Sequence, residues 1–293
     1  MSTRRHIAGP RGRLDVEVSG PDDGDTLIFH MGTPSLANMY APLVELGAAR
    51  GIRHVVYMRP GYGESERCEG RLVADCAADV TAVADALGVG RFYTAGRSGG
   101  GPHALATAAL LPDRVIAAAT IAGCAPRYAE GLDWLDGMAQ ENIDEIAAAD
   151  AGEKELLAFI EPFREKLVSA SPEDMHAEFG DLLSDVDRSV MTGEFAEYEA
   201  QATRAGMEHG VWGWFDDDIE LIRDWGFELS DISCPVTIWQ GAQDRMVPLA
   251  HGEWLAAHIP GARAKLLLDH GHLSLALGHY GEFLDDLMAG GTL

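Results

Sequence analysis

The chain has 293 residues, a hydrophobic fraction of 47% and a formal charge of −25, values that suit a globular protein with ample core and exclude a disordered one. Such a charge repels nucleic acid and anionic membrane surfaces, and no apolar run approaches the about 18 residues that span a bilayer. Four cysteines without C-x-x-C spacing, and a basic N-terminus that runs into Gly9-Pro10-Arg11-Gly12 rather than an apolar stretch, predict reduced thiols in a cytoplasmic protein without a secretory signal.

Residues 13–19 alternate apolar and polar side chains, which predicts a half-exposed antiparallel edge strand. Residues 26–30 form a short apolar run without alternation, as a strand buried on both faces requires, and a helix is expected over 36–50. A second buried run at 54–58 ends in the turn-rich loop Arg59-Pro60-Gly61-Tyr62-Gly63-Glu64-Ser65. Apolar residues at helical spacing predict a helix over 72–87, stopped by Gly88. Next come a β-prone run ending at Gly96, a small-residue helix over 102–111 and a strand over 115–121. This alternation predicts an α/β fold, with a mostly parallel sheet and helices on both faces.

The alternation breaks near Cys124. Between Pro126 and Ser230 the sequence reads as helical and holds 27 acidic against 7 basic residues, a net −20 that leaves only −5 for the rest. Residues 126–230 are therefore expected to be a helical, acidic cap inserted into a core formed by 1–125 and 231–293. The core pattern resumes with a strand at 235–239, a helix at 250–258, a strand at 264–268 and a final amphipathic helix over 273–288.

Four loops at the carboxyl ends of strands carry chemistry-bearing residues, where active groups collect in open parallel sheets. In Gly96-Arg97-Ser98-Gly99-Gly100, glycines two before and two after a serine permit a tight strand-to-helix turn. The turn lifts the Ser98 hydroxyl and aims the Gly99 amide into the same space; a flexible glycine loop gives the same letters. Asp244, beyond the strand at 235–239, suits a carboxylate that orients a histidine or one that caps the next helix. His270 and His272 follow the last strand, and Gly271 permits a turn that aims His272 back over the sheet. In His30-Met31-Gly32-Thr33-Pro34 the Thr33 amide is the candidate second oxyanion donor, with His30 buttressing the loop.

Taken together, His30-Met31-Gly32-Thr33-Pro34, Arg59-Pro60-Gly61-Tyr62-Gly63-Glu64-Ser65, Gly96-Arg97-Ser98-Gly99-Gly100, Gly241-x-x-Asp244 and Gly271-His272 resemble the α/β-hydrolase superfamily in its cap-bearing branch of esterases, proline iminopeptidases and carbon–carbon-bond hydrolases. The resemblance covers nearly the whole chain outside the cap. It implies Ser98 as nucleophile, Asp244 as orienting acid, His272 as base, and the Thr33 and Gly99 amides as oxyanion hole, with no metal or organic cofactor. Met31 separates the usual His-Gly pair, and Met58 stands where members often carry a structural aspartate. The iminopeptidase signatures His-Gly-Gly-Pro-Gly and Gly-Gly-Ser-Trp-Gly are absent, and serine at the elbow disfavours epoxide hydrolases and haloalkane dehalogenases.

Trp134, Trp212, Trp214 and Trp225 place four of six tryptophans in the cap. They are expected either to line an apolar pocket facing Ser98, with Met31 and Met246, or to form the cap's own small core. Asp216-Asp217-Asp218 reads as a helix N-cap cluster rather than a metal site, or as a cap carboxylate for a substrate ammonium. The expected activity is cleavage of an ester, lactone, thioester or amide of a small, partly apolar molecule. The rivals are an N-terminal prolyl-type aminopeptidase and a ligand-binding protein that keeps the fold without turnover.

Overall fold

In the computed structural model, which describes residues 2–291, eight strands form one sheet. In chain order they are β1 (Thr3–Gly9), β2 (Gly12–Ser19), β3 (Asp25–His30), β4 (Ile52–Tyr57), β5 (Phe92–Arg97), β6 (Val115–Ile121), β7 (Val236–Gly241) and β8 (Arg263–Leu267). Their order across the sheet is β1-β2-β4-β3-β5-β6-β7-β8. The β1–β2 and β2–β4 pairs are antiparallel, and every other neighbouring pair is parallel. The central strands read as unbroken apolar runs because helices cover both of their faces.

On one face lie α1 (Ala41–Ala48) and, from the C-terminal end, α11 (His272–Gly290), whose Tyr280, Phe283 and Leu284 pack on Leu27, Phe29 and Trp239. On the other lie α2 (Cys76–Ala86), α3 (Gly100–Leu110) and α10 (Leu249–His258). Val80, Val83, Leu105 and Leu255 there meet Ile28, Val55, Phe92 and Ile238. The alanine-rich α3 is buried over nearly its whole length, and its small side chains let it lie close against β5 and β6.

The chain leaves β6 at Ile121 and returns to its parallel neighbour β7 at Val236. Between them lie α4 (Gln140–Ala151), α5 (Glu153–Ser169), α6 (Pro172–Glu178), α7 (Asp185–Val190), α8 (Gly193–Gly206) and α9 (Trp212–Leu221). Among the described residues, no helix is long and apolar enough to cross a membrane.

Two expectations need correction. Strand β2 is not the edge: β1 pairs along its length from Thr3 opposite Val18 to Gly9 opposite Gly12, and Asp15 is buried against Arg4 (Nε–Oδ1 2.7 Å). The β1 sequence is mostly polar and exposed, so hydrophobic patterning gives no sign of it. The helix expected over 36–50 is only α1, with Pro42 in its first turn; the preceding residues form a loop over the carboxyl end of the sheet.

Candidate active site

Strand β5 delivers Ser98 to a sharp turn before α3. Ser98 has φ of 53°, a left-handed conformation that L-residues other than asparagine and aspartate seldom adopt. Such strain costs about 1–3 kcal/mol and persists only where the surroundings fix it. Here the Ser98 amide donates to the Ile121 carbonyl at 2.9 Å, and the Ser98 carbonyl accepts from Gly101 at 2.8 Å. Close packing demands the flanking glycines: a Cβ on Gly96 would collide with the Gly100 carbonyl, and one on Gly100 with the His30 and Met31 carbonyls.

Asp244 lies in the loop after β7 and His272 is the first residue of α11; both are buried. His272 Nδ1 lies 2.8 Å from Asp244 Oδ2. The carboxylate is itself fixed by the amides of Met246 and Val247 on Oδ1, at 2.9 and 2.8 Å, and by Gln240 Nε2 on Oδ2 at 3.1 Å. Since a carboxylate only accepts, the imidazole donates from Nδ1 and leaves Nε2 free to take a proton. The neighbouring His270 turns instead to His279, with the two Nε2 atoms 2.9 Å apart.

The loop carrying Thr33 is held from beneath by Arg59, a fully buried residue whose part sequence reading missed. Its guanidinium donates to the carbonyls of Met31 (2.6 Å) and Gly32 (2.8 Å) and to the Thr33 hydroxyl (3.2 Å). In a trans peptide the N–H points opposite the preceding C=O, so the amides of Gly32 and Thr33 face away from Arg59. The Thr33 hydroxyl donates to Asp217 Oδ2 at 2.7 Å.

Asp217 is the centre of a buried ionic cluster. Arg59 Nε reaches it at 3.0 Å, Arg71 at 2.5 Å and the Tyr62 hydroxyl at 2.9 Å. Burial alone would raise its pKa, but the Arg59 and Arg71 guanidiniums hold it far below the usual carboxylate range. Arg71 also pairs with Glu220, whose Oε1 lies 2.8 Å from His103 Nε2. His103, Asp217 and Glu220 bring potential metal-ligating atoms together, but the two arginines already engage both carboxylates. The Asp216–Asp218 run is thus no N-cap: α9 begins at Trp212, so the three residues fall inside the helix, all buried. Asp216 pairs with Arg67 at 2.9 Å, and Asp218 shares a hydrogen bond with Glu145. Arg59, Arg67 and Arg71, grouped after β4, were the sequence signal for partners of this run.

A cavity of about 120 Å³ lies over the sheet, and Ser98, His272 and Thr33 all open onto it. Its apolar wall is Phe163, Leu167, Phe179, Leu182 and Trp214, from the inserted helices and their connections; Met246 and Leu36 complete it from the core loops. Arg97, Glu145 and Glu199 supply the charged part. Glu199 is buried 4.0 Å from Arg97, and its burial raises its pKa despite Arg97 and His272 nearby.

Of the six expected pocket residues, Trp214 and Met246 line this cavity and four do not. Met31 faces a separate apolar space with Phe29, Met39 and Tyr280. Trp134 and Trp225 join a satellite core with Val73 and Val247, the Trp134 indole donating to the Ala125 carbonyl at 2.8 Å. Trp212 is partly exposed beneath the Arg67 guanidinium, 4.0 Å from its ring. Trp134 and Trp225 therefore fill space rather than line it, since large aromatic area is most stabilising where it is fully covered.

The chain matches the family model described as alpha/beta hydrolase fold over residues 25–278. It is 25% identical over 264 residues to a pimeloyl-[acyl-carrier protein] methyl ester esterase of Nitrosomonas europaea, covering 88% of this chain and 92% of that one. Among solved structures it is similar in fold to an alpha/beta hydrolase fold protein from Nakamurella multipartita, with TM-score 0.67, 24% identity, and 99% and 100% of the two chains covered. A carboxylesterase from Bacillus subtilis matches with TM-score 0.66 and 18% identity over 99% of this chain and 92% of that one.

Proposed function

Because the chain belongs to the alpha/beta hydrolase family, we propose that it is a serine hydrolase that cleaves a carboxylic ester, lactone, thioester or amide of a small, partly apolar substrate. The observation that carries this reading is Ser98, at φ 53°, opening onto the same cavity as a His272 ring bonded to Asp244 at 2.8 Å. The esterase among the relatives supports an ester as the bond cleaved.

In this reading His272 Nε2 removes the Ser98 proton as Oγ attacks the carbonyl carbon. Asp244 keeps the imidazole oriented and stabilises the imidazolium. The Thr33 and Gly99 amides receive the oxyanion; each such donor is worth about 3 kcal/mol in the transition state. Collapse returns the proton to the departing alcohol, thiol or amine and leaves an acyl-serine. Water, deprotonated by His272, then releases the acid and restores Ser98. The wall of Phe163, Leu167, Phe179, Leu182 and Trp214 holds the acyl or leaving group by apolar contact.

A second reading, an aminopeptidase, draws on Glu145 and Glu199, two carboxyl groups of the insertion that line the cavity. Two measurements decide. A fluorophosphonate probe should label wild type and not Ser98→Ala; an unlabelled wild type defeats the serine reading. Short p-nitrophenyl esters are then compared with a prolyl arylamide, and turnover of the arylamide alone would replace the first reading by the second.

A further inference from the structure

Asp187 belongs to the insertion, on α7, yet its carboxylate bonds to a core helix. Oδ2 accepts from the His272 amide at 2.8 Å, and Oδ1 accepts from the amides of Leu273 and Ser274 at 2.9 Å each. The Ser184 hydroxyl donates to Oδ2 at 2.9 Å and fixes the carboxylate from its own side. A helix leaves its first four N–H groups without intrahelical partners, and the residue before it usually supplies a cap. Before α11 that residue is Gly271, which has no side chain to offer. A Cβ there would overlap the Asp187 carboxylate. The helix that begins with His272 is therefore capped from the insertion. Asp187 is wholly buried; burial pushes its carboxyl up, but the Ser274 and His272 amides and the nearby imidazole outweigh that and hold it below the usual range.

We infer that Asp187 is a positioning residue for the catalytic base, through which the insertion sets the orientation of His272; the inference rests on the serine-hydrolase reading above. His272 is the first residue of α11, so the direction of its ring follows from the backbone of the turn that Asp187 ties down. The ring must keep Nδ1 on Asp244 while presenting Nε2 to the cavity. Asp187 also places a second negative charge beside His272, on the backbone side, where it favours the imidazolium of the transition state. The segment that supplies it lines the cavity a few residues earlier, at Phe179 and Leu182. The wall that meets the substrate and the group that holds the base are thus one stretch of chain.

The test starts with fluorophosphonate labelling of wild type and Ser98→Ala. An unlabelled wild type removes the serine-hydrolase reading, and this inference with it, before any Asp187 variant is measured. With wild type labelled, Asp187→Ala and Asp187→Asn are assayed on p-nitrophenyl butyrate, with rates expressed per labelled site so that loss of folded protein does not count. The expected result is a kcat about 10- to 100-fold lower in Asp187→Ala, KM within about two-fold of wild type, and labelling slowed in parallel. Asp187→Asn keeps one acceptor oxygen without the charge and should fall between. A change confined to KM, or wild-type kcat and labelling rate in Asp187→Ala, overturns the inference. Should Asp187→Ala not fold, Asp187→Asn decides on the same readouts: lower kcat at unchanged KM supports the inference, and wild-type kcat overturns it.

Discussion

The Thr33 hydroxyl donates to Asp217 at 2.7 Å, joining the loop that follows β3 to a helix of the insertion. Arg59 binds both partners at once, holding Asp217 by its side chain and the Thr33 loop by its carbonyls. The backbone proposed to receive the oxyanion is therefore braced by a carboxylate far away in sequence.

Removing that carboxylate should cost more than one ordinary hydrogen bond. Asp217→Ala leaves Arg59 and Arg71 buried without their shared anion, a loss of about 3–5 kcal/mol. Thr33→Val keeps the amide and the shape and should cost only about 1 kcal/mol. Chemical denaturation of the two variants checks the ranking; equal losses would show that the cluster does not act as a unit.

The proposed orienting acid has a sharper signature. In Asp244→Asn the amide oxygen can still accept from Met246 and Val247, but the NH₂ group then faces His272 Nδ1 and favours the wrong tautomer. On p-nitrophenyl esters kcat should fall about 10³- to 10⁴-fold, with a lower Tm as well, because the same NH₂ group also opposes the Gln240 donor. A variant with near wild-type kcat would mean that His272 works without Asp244.

Stability should respond to pH through Glu145 and Asp218. Asp218 is buried beside the half-buried Glu145, and burial together with their mutual repulsion raises Asp218 well above its usual range. An acid whose pKa is raised on folding binds more protons folded than unfolded, so its contribution is complete below the unfolded value and is lost as pH climbs through the folded one. Asp218→Asn keeps a donor to Glu145 without needing a proton. Its Tm should exceed that of wild type by a margin that widens from pH 5 to pH 9; a margin independent of pH contradicts the shared proton.

Substrate size should follow the apolar wall. Phe163 packs against Trp214 with ring centroids 5.7 Å apart, and both line the cavity. Phe163→Ala opens space there and should shift preference toward longer acyl chains by about 1–3 kcal/mol in relative kcat/KM. A p-nitrophenyl ester series from acetate to octanoate measures this directly, and an unchanged profile would place the acyl chain elsewhere.

How much of this was legible in the sequence depends on whether a residue acts through its neighbours in the chain. The buried strands announce themselves as apolar runs, and the turn at Ser98 follows from glycines that no other residue could replace. Strand β1 gave no such sign because its side chains are largely exposed and its pairing with β2 is a backbone matter. The Asp216–Asp218 run was misplaced because three consecutive positions on a helix point in three directions. Each met a different partner, Arg67, Arg59 with Arg71, or Glu145, that only the fold brings near. Asp187 was missed for the same reason: its partners are backbone amides 85 to 87 positions away. The tryptophans left two readings open because bulk alone does not say whether an aromatic ring lines a space or fills one; Trp214 does the first and Trp134 and Trp225 the second.

Strands β6 and β7 are direct neighbours, so the whole segment between them leaves the sheet and rejoins it one strand over. A loop of that kind invites exchange, since the sheet would close equally well around a shorter or foreign piece of chain. Asp187 and Asp217 limit the trade. Any transplanted segment would also have to bring an acceptor for the first amides of α11 and an anion for Arg59 and Arg71. Without them, the recipient scaffold would keep its strands but slacken the two loops on either side of Ser98.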